Sequence, residues 1–204
     1  MRHILFLGDS ITDAGHAFDY ENLGEGYVRM IYHALHFEDK KICVYNRGTD
    51  GFTVKNVKRF WNMQHAKLKA DMLTILVGIN DIAVMKGTGA SLEDALAQFE
   101  TTYDELLTQI RETYSGPIVL MEPFIFPRPA EYLTWMDDVK AMNQKIQELS
   151  VRHNLTYLPL WDKLLAAAEK NGMNTITTDG VHLTKKGQSI IAETWLEHYK
   201  SLLN

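Results

Sequence analysis

The chain has 204 residues, of which 46% are hydrophobic and 23% charged, a composition typical of an ordinary soluble domain with a substantial core. A net charge of −5 without basic runs argues against a nucleic-acid partner, and the one cysteine, Cys43, excludes an intramolecular disulfide. No apolar run approaches the roughly 20 residues of a membrane-spanning helix, and no secretory signal precedes Asp9. We therefore expect a cytoplasmic protein with no membrane partner.

Short apolar runs alternate with longer amphipathic stretches along the chain. The apolar runs predict strands at residues 4–7, 42–45, 72–77, 118–121 and 156–158. The amphipathic stretches predict helices at residues 27–36, 54–69, 91–114, 134–152, 162–170 and 185–203. Ser91 with Asp94, and Thr134 with Asp137, are typical of helix caps. This alternation predicts one α/β domain over residues 1–204, with a five-stranded parallel sheet covered on both faces.

Polar and glycine-rich segments follow the predicted strands. Because the carboxyl ends of parallel strands lie along one edge of a sheet, we expect these segments to meet there. They are Gly8-Asp9-Ser10, Asn46-Arg47-Gly48-Thr49-Asp50-Gly51, Gly78-Ile79-Asn80-Asp81, Glu122-Pro123-Phe124 and, before the last helix, Asp179-Gly180-Val181-His182.

The segments contain the residue types that serine-dependent ester hydrolysis requires. Ser10 is the candidate nucleophile, His182 the candidate general base and Asp179 the carboxylate that orients the imidazole. The backbone N–H groups of Ser10 and Gly48, and the side-chain amide of Asn80, are candidate donors to the oxyanion. Each segment alone is equally typical of a tight turn, so their joint position at one edge carries the hypothesis.

Together these segments resemble the four sequence blocks of the SGNH hydrolases, also called the GDSL esterase/lipase family. The resemblance extends from residue 4 to the last helix. It implies a three-layer α/β/α fold of the flavodoxin type, a triad of Ser10, His182 and Asp179, and an oxyanion hole formed by Ser10, Gly48 and Asn80. It also implies that the protein uses neither a metal nor an organic cofactor.

Within that family, the stretches NRGTDGFTV, VGINDI, EPF and DGVHLTKKGQ look most like short carbohydrate acetylesterases, which implies an acetylated sugar as the ester substrate. The chain departs from the pattern at Asp50 and Glu122, where relatives carry a small residue and a threonine or similar residue. We expect both acids near the mouth of the site, where they disfavour anionic or long fatty substrates.

Other candidate substrate contacts lie beside these segments. Asp9 adjoins the serine, although we expect its carboxylate, like that of Asp81, to hold a loop through backbone N–H groups. Residues 123–134 form a loop rich in aromatic side chains, including Phe124, which predicts a lid or a contact between copies of the chain. Trp135, next to this loop, is the candidate platform for a sugar ring.

Alternative functions leave different signatures. A dinucleotide site is disfavoured because Gly24-Glu25-Gly26 lacks a third glycine and Gly87-Thr88-Gly89 follows no strand. The chain has no G-x-S-x-G nucleophile elbow and no HExxH zinc motif. Two alternatives remain open. One is a broader arylesterase, lysophospholipase or thioesterase of the same family, and the other is a catalytically silent binding protein on the same fold.

We expect a serine esterase that acts on short acyl groups through an acyl-enzyme on Ser10.

Overall fold

A computed structural model of the chain describes residues 2–201, apart from the side chain of Ser201. Its sheet consists of five parallel strands: β1 (Arg2–Gly8), β2 (Ile42–Gly48), β3 (Met72–Leu76), β4 (Ile118–Met121) and β5 (Thr156–Leu158). The strand order is β2-β1-β3-β4-β5, which is the flavodoxin-like order. The predicted parallel α/β sheet is confirmed.

Two strands are longer than the apolar runs that predict them. β1 and β2 pair in register from Arg2 opposite Ile42 to Gly8 opposite Gly48, so each strand continues through its polar end. β1 lies between β2 and β3, and Leu5 is completely buried. Backbone pairing therefore extends both strands to the edge where the polar segments begin.

Eight helices lie within the described residues: α1 (Ser10–Asp13), α2 (Tyr27–Glu38), α3 (Val54–Met63), α4 (Ile79–Thr88), α5 (Leu92–Thr113), α6 (Met136–Arg152), α7 (Trp161–Asn171) and α8 (Lys185–Ser201). Short 3-10 helices occupy His16–Phe18, His65–Lys67, Ala130–Trp135 and Met173–Thr175. The predicted end of the last helix at Leu203 lies outside the described residues. None of the helices in residues 2–201 is both long enough and apolar enough to cross a bilayer.

α4 and α3 differ from the sequence predictions. α4 was not predicted; it begins directly after Gly78, and Ile79, Ile82 and Met85 form its buried face. The predicted helix at residues 54–69 ends at Met63, because Gln64 leaves the helical conformation.

The two predicted caps have opposite outcomes. Ser91 caps α5, its hydroxyl accepting the N–H of Asp94 at 3.1 Å. The predicted cap at Thr134 is wrong, because its hydroxyl donates to the carbonyl of Glu131 in the preceding 3-10 helix, and α6 starts two residues later.

The helices form two layers around the sheet. α2 and α7 each contact α8, and α3, α4, α5 and α6 form the second connected group. On the side of α2 and α8, the ring of Phe6 lies 5.7 Å from that of Tyr27 and 5.4 Å from that of Trp195. The indole N–H of Trp195 donates to the hydroxyl of Thr74 on β3 at 3.0 Å. The three-layer prediction is confirmed, and the rigid sheet fixes the edge that holds the polar segments.

Candidate active site

Ser10 lies at the carboxyl end of β1, as the first residue of α1. The carboxylate of Asp9 caps this helix by accepting the N–H of Ile11 at 3.0 Å. A Cβ atom on Gly8 would lie 2.2 Å from the hydroxyl of Thr12 and 2.4 Å from the carbonyl oxygen of Leu76. Only glycine therefore allows the end of β1 to lie this close to α1 and to the end of β3.

Three of the predicted site residues form a continuous chain of hydrogen bonds. Ser10 Oγ lies 2.9 Å from His182 Nε2, and His182 Nδ1 lies 2.6 Å from Asp179 Oδ2. Because a carboxylate only accepts hydrogen bonds, the ring proton belongs on Nδ1. His182 Nε2 then has a free lone pair for the hydroxyl proton of Ser10, which is the arrangement a general base needs.

The environment of Asp179 keeps its carboxylate ionised. Partial burial raises the pKa of this carboxyl, but hydrogen bonds from the His182 ring and from the N–H groups of Val181 and His182 outweigh that effect, and the pKa is lowered overall. These N–H groups lie 2.9 and 2.7 Å from Oδ1. The side chains of His182 and Asp179 are 49% and 52% exposed, so the site is open to solvent.

The loop that carries Asp179 and His182 is held from two sides. Thr177 accepts the N–H of Gly180 at 2.8 Å and donates its hydroxyl to the carbonyl of His182 at 2.8 Å. From the aromatic loop, the N–H of Phe126 donates to the carbonyl of Gly180 at 2.8 Å. Gly180 has a φ of +96°, and a Cβ there would lie 1.7 Å from the carbonyl oxygen of Arg128. The aromatic loop thus supports the histidine loop from behind.

The structure corrects the expectation for Gly48. Its N–H donates to Asn46 Oδ1 at 2.9 Å in a buried hydrogen bond, so it is not available to a substrate oxygen. A Cβ on Gly48 would lie 2.3 Å from the backbone nitrogen of Asp13. Gly48 is therefore required for the close approach of β2 to α1.

Sequence reasoning missed Gly51, three residues further along. Residues 49–52 form a turn in which the N–H of Phe52 donates to the carbonyl of Thr49 at 3.1 Å, and Gly51 adopts a φ of +72°. The N–H of Asp50 donates to Asp13 Oδ2 at 3.0 Å. Within residues 2–201, the N–H of exposed Gly51 has no hydrogen-bond partner. The sequence does show Gly51 as a second glycine in this loop. Spacing alone, however, does not tell which of the two glycines has the free N–H group.

Asn80 lies in the first turn of α4, directly after β3. Its side-chain N–H donates to the carbonyl of Phe52 at 3.0 Å, which joins the turn of Gly51 to α4 and leaves the second amide hydrogen unused. The backbone N–H of Ser10 also has no partner among the described residues. Ser10, Gly51 and Asn80 thus carry free donors on the segments that follow β1, β2 and β3.

Asp9 and Asp81 are buried carboxyls that hold these loops. Asp9 is 1% exposed, and both oxygens of Asp81 accept the N–H of Val54, at 3.1 and 3.3 Å. Burial raises the pKa of each carboxyl to about 7. The expected hydrogen bonds from backbone N–H groups to both carboxylates are present. The predicted contact between Asp9 and a substrate is wrong, because this side chain is too deeply buried.

Glu122 does not lie at the mouth of the site, contrary to expectation. Its Oε2 accepts the N–H groups of Leu160 and Trp161, both at 2.8 Å, and its Oε1 accepts the hydroxyl of Tyr157 at 2.8 Å. Burial and the neighbouring Glu122 carboxylate raise the pKa of that tyrosine. Glu122 therefore fastens β4 to β5 and to the start of α7.

The aromatic loop is mostly packed inward. Phe124 and Phe126 are completely buried and meet edge to face, so the predicted substrate contact at Phe124 and the expected exposure of these rings are wrong. Trp135 is half-buried, with its ring 4.8 Å from that of Tyr132. Asp50 has an exposed side chain, so Asp50 and Trp135 are the substrate contacts that stay as predictions.

No group of His, Cys, Asp and Glu side chains within residues 2–201 is arranged to hold a metal ion.

Comparison with known sequences identifies related esterases. A sequence profile of the GDSL-like Lipase/Acylhydrolase family matches residues 6–190. The chain is also 28% identical, over 95% of its length and 91% of the relative's, to an acetylxylan esterase of Geobacillus stearothermophilus.

Solved structures agree in fold. A protein described as a GDSL-like lipase, from Parabacteroides merdae ATCC 43184, is 28% identical and superposes with a TM-score of 0.85 over 96% of this chain and 94% of that one. A catalytic mutant of an acetylxylan esterase from Geobacillus stearothermophilus is 23% identical and superposes with a TM-score of 0.83 over 96% and 93% of the two chains.

Proposed function

The chain belongs to the GDSL-like lipase/acylhydrolase family, and within it we propose a serine esterase that removes acetyl and other short acyl groups from the hydroxyl groups of carbohydrates. The observation that carries the proposal is the hydrogen-bonded chain from Ser10 through His182 to Asp179, with distances of 2.9 and 2.6 Å. The relationship to an acetylxylan esterase supports the acetyl group and the sugar.

The first half of the reaction is acyl transfer to Ser10. Ser10 Oγ attacks the ester carbonyl carbon while its proton passes to His182 Nε2. The ionised Asp179 stabilises the imidazolium that results and keeps the ring oriented. His182 then gives this proton to the departing alcohol oxygen, and the acyl group remains bonded to Ser10.

The negative charge on the carbonyl oxygen needs donors that are in place before the reaction. In our proposal the N–H groups of Ser10 and Gly51 and the free amide hydrogen of Asn80 fill this role. Such donors stabilise the transition state because they need no reorganisation as charge develops, and each contributes about 3–4 kcal/mol. The carboxylate of Asp13 assists indirectly, since it holds the N–H of Asp50 and so the turn that contains Gly51.

The second half returns the enzyme to its starting state. A water molecule takes the place of the alcohol, gives a proton to His182 and attacks the acyl carbon. The bond to Ser10 Oγ breaks, the carboxylic acid leaves, and Ser10 regains its proton from His182. The half-exposed His182 allows water to reach this position directly.

Labelling with a fluorophosphonate and ester kinetics test the proposal together. We expect one covalent adduct on Ser10, located by peptide mass spectrometry, and turnover of p-nitrophenyl acetate that falls by about 10⁴-fold or more in Ser10→Ala. Ser115→Ala, a change at an exposed serine at the other edge of the sheet, is the matched control. If the folded protein is neither labelled nor active, it is a catalytically silent binding protein and the proposal of an esterase is wrong.

The length of the acyl chain and the identity of the alcohol together define the substrate class. We expect activity on p-nitrophenyl esters to decline from acetyl to hexanoyl, and acetate to be released from acetylated xylo-oligosaccharides. A maximum at octanoyl would instead indicate a lipase or thioesterase of the same family, and hydrolysis of aryl esters alone would indicate a broad arylesterase.

A further inference from the structure

A cavity of about 240 Å³ lies directly beside the Ser10–His182 pair, between α1, the start of α2 and the start of α8. Ser10 and His182 both line it, and so do Glu25 and Lys185. No residue of the turn at 49–52 lines it, and neither does Asn80. The cavity thus adjoins the reacting atoms, and of the residues with free N–H donors to the oxyanion only Ser10 borders it.

This position identifies the part of the ester that the cavity receives. The departing alcohol oxygen must lie close to His182 Nε2, because that nitrogen returns the proton to it. The carbonyl oxygen points to the proposed donors, of which Gly51 and Asn80 do not border the cavity. The group attached to the alcohol oxygen therefore extends past His182 into the cavity.

The Gly24-Glu25-Gly26 segment, which lacks the third glycine of a dinucleotide site, places Glu25 at this cavity. Gly24 has a φ of +74°, and a Cβ there would lie 2.3 Å from the carbonyl oxygen of Asp13; on Gly26 it would lie 2.8 Å from the Cβ of Ala14. The N–H of Glu25 donates to the carbonyl of Ala14 at 2.9 Å. The two glycines let this segment pack flat on the end of α1, which fixes the backbone of Glu25.

The base of the cavity is equally well ordered. Gln188 on α8 is 6% exposed, and its side-chain oxygen accepts the N–H of Tyr27 at 3.0 Å, which ties α8 to the start of α2. Lys185, one turn earlier on α8, is exposed at the rim, as is Glu25. Among the described residues, neither charged group forms a salt bridge. An acceptor and a donor are therefore both available to a ligand.

We propose that this cavity is the alcohol subsite and that Glu25 and Lys185 bind hydroxyl groups of a neutral polyhydroxylated alcohol, such as a sugar ring; the proposal rests on the proposed esterase function. The carboxylate accepts hydrogen bonds from hydroxyl groups and the ammonium donates to them. An alkyl alcohol would desolvate both charges without replacing their hydrogen bonds. The volume is below the roughly 300–1,000 Å³ of pockets for drug-sized ligands, which suits one ring with the rest of an oligosaccharide in solvent.

A cationic alcohol of the choline type carries a charge opposite to that of Glu25. Quaternary ammonium groups are usually recognised by aromatic rings, however, and no Phe, Tyr or Trp is among the described residues that line the cavity. The sugar is therefore the better match to the walls.

The test is a ratio of specificity constants for two acetate esters. The kcat/KM for a mono-O-acetylated methyl xyloside is divided by the kcat/KM for methyl acetate, which has no hydroxyl groups. We expect the ratio to fall by about tenfold in Glu25→Gln and in Lys185→Met, since each variant loses a hydrogen bond between a charged group and a sugar hydroxyl. Lys186→Met and Glu93→Gln, exposed charges away from the cavity, are the matched controls and should keep the wild-type ratio.

Several results would overturn the subsite. An unchanged ratio in both variants would do so, and so would a changed preference between acetyl and propionyl esters of one alcohol, which would place the acyl group in the cavity. A loss confined to acetylcholine in Glu25→Gln would assign a cation instead. If the wild-type enzyme is labelled on Ser10 and hydrolyses methyl acetate, these outcomes refute the subsite alone; if it does neither, the esterase itself is refuted.

Discussion

Asn46 Oδ1 accepts the backbone N–H of Gly48 at 2.9 Å, and this contact leaves Gly51 as the glycine of the loop with a free N–H group. The same side chain is completely buried, and its Nδ2 donates to the carbonyl of Thr12 at 2.7 Å and to that of Leu23 at 2.8 Å. One amide thus joins the end of β2 to α1 and to the loop before α2.

Replacing Asn46 by alanine should destabilise the protein by about 2–4 kcal/mol, because three buried backbone groups lose their partner. Urea unfolding followed by circular dichroism measures this change. Asn62→Ala, at an exposed site whose amide bonds only to half-buried Gln109, is the matched control and should cost less than about 0.5 kcal/mol. A loss below about 1 kcal/mol for Asn46→Ala would mean that water replaces the amide.

Asn80→Ala should lower kcat by about 10²–10³-fold and change KM little, because the proposed amide donor acts on charge that develops only in the transition state. Steady-state kinetics with p-nitrophenyl acetate measures both constants, with Asn62→Ala as the control. The reverse pattern, a raised KM with kcat preserved, would assign Asn80 to substrate binding instead.

Glu122→Ala should reduce the free energy of unfolding by about 2–4 kcal/mol, since the N–H groups of Leu160 and Trp161 lose a charged acceptor. The kcat/KM for acetylated sugars should stay within about threefold of wild type at temperatures where the variant is folded. Glu169→Ala, at an exposed position of the same α7, is the control for stability. If the variant selectively lost hydrolysis of sugar esters, Glu122 would contact the substrate after all.

The raised pKa of Asp81 has a consequence for stability that depends on pH. Burial raises this pKa from 3.8 to about 7, so between these values the folded chain holds a proton that the unfolded chain has lost. The free energy of unfolding therefore falls as pH rises through this window, and the full cost is present above it.

Asp81→Asn removes the titration and keeps an oxygen for the N–H of Val54. Relative to wild type, we expect the variant to gain more than about 1 kcal/mol of stability between about pH 5 and about pH 8, measured by urea unfolding at each pH. Asp137→Asn, at a 93% exposed carboxylate, should show no such gain. A constant difference across this range would mean that Asp81 keeps an ordinary pKa in the folded protein.

Much of the fold was predictable because it depends on local patterns. Apolar runs with a period of two or without interruption located all five strands, and alternation with amphipathic stretches required parallel pairing. Once the strands are parallel, topology brings Ser10, Asn80 and His182 to one edge, whatever the details of packing. α4 escaped prediction because its first turn is the polar segment that the site uses.

The sequence by itself determined which chemical groups meet at that edge, since the hydrophobic pattern predicts parallel strands and the spacing places polar residues directly after them. Only the tertiary structure decided which of those groups are free to act. Asn46 Oδ1 accepts the N–H of Gly48, and the carboxylate of Glu122 accepts the N–H groups of Leu160 and Trp161, so neither group is available to a substrate. The physical reason is that buried polar groups must find partners, and those partners come from distant parts of the chain whose approach no local pattern records.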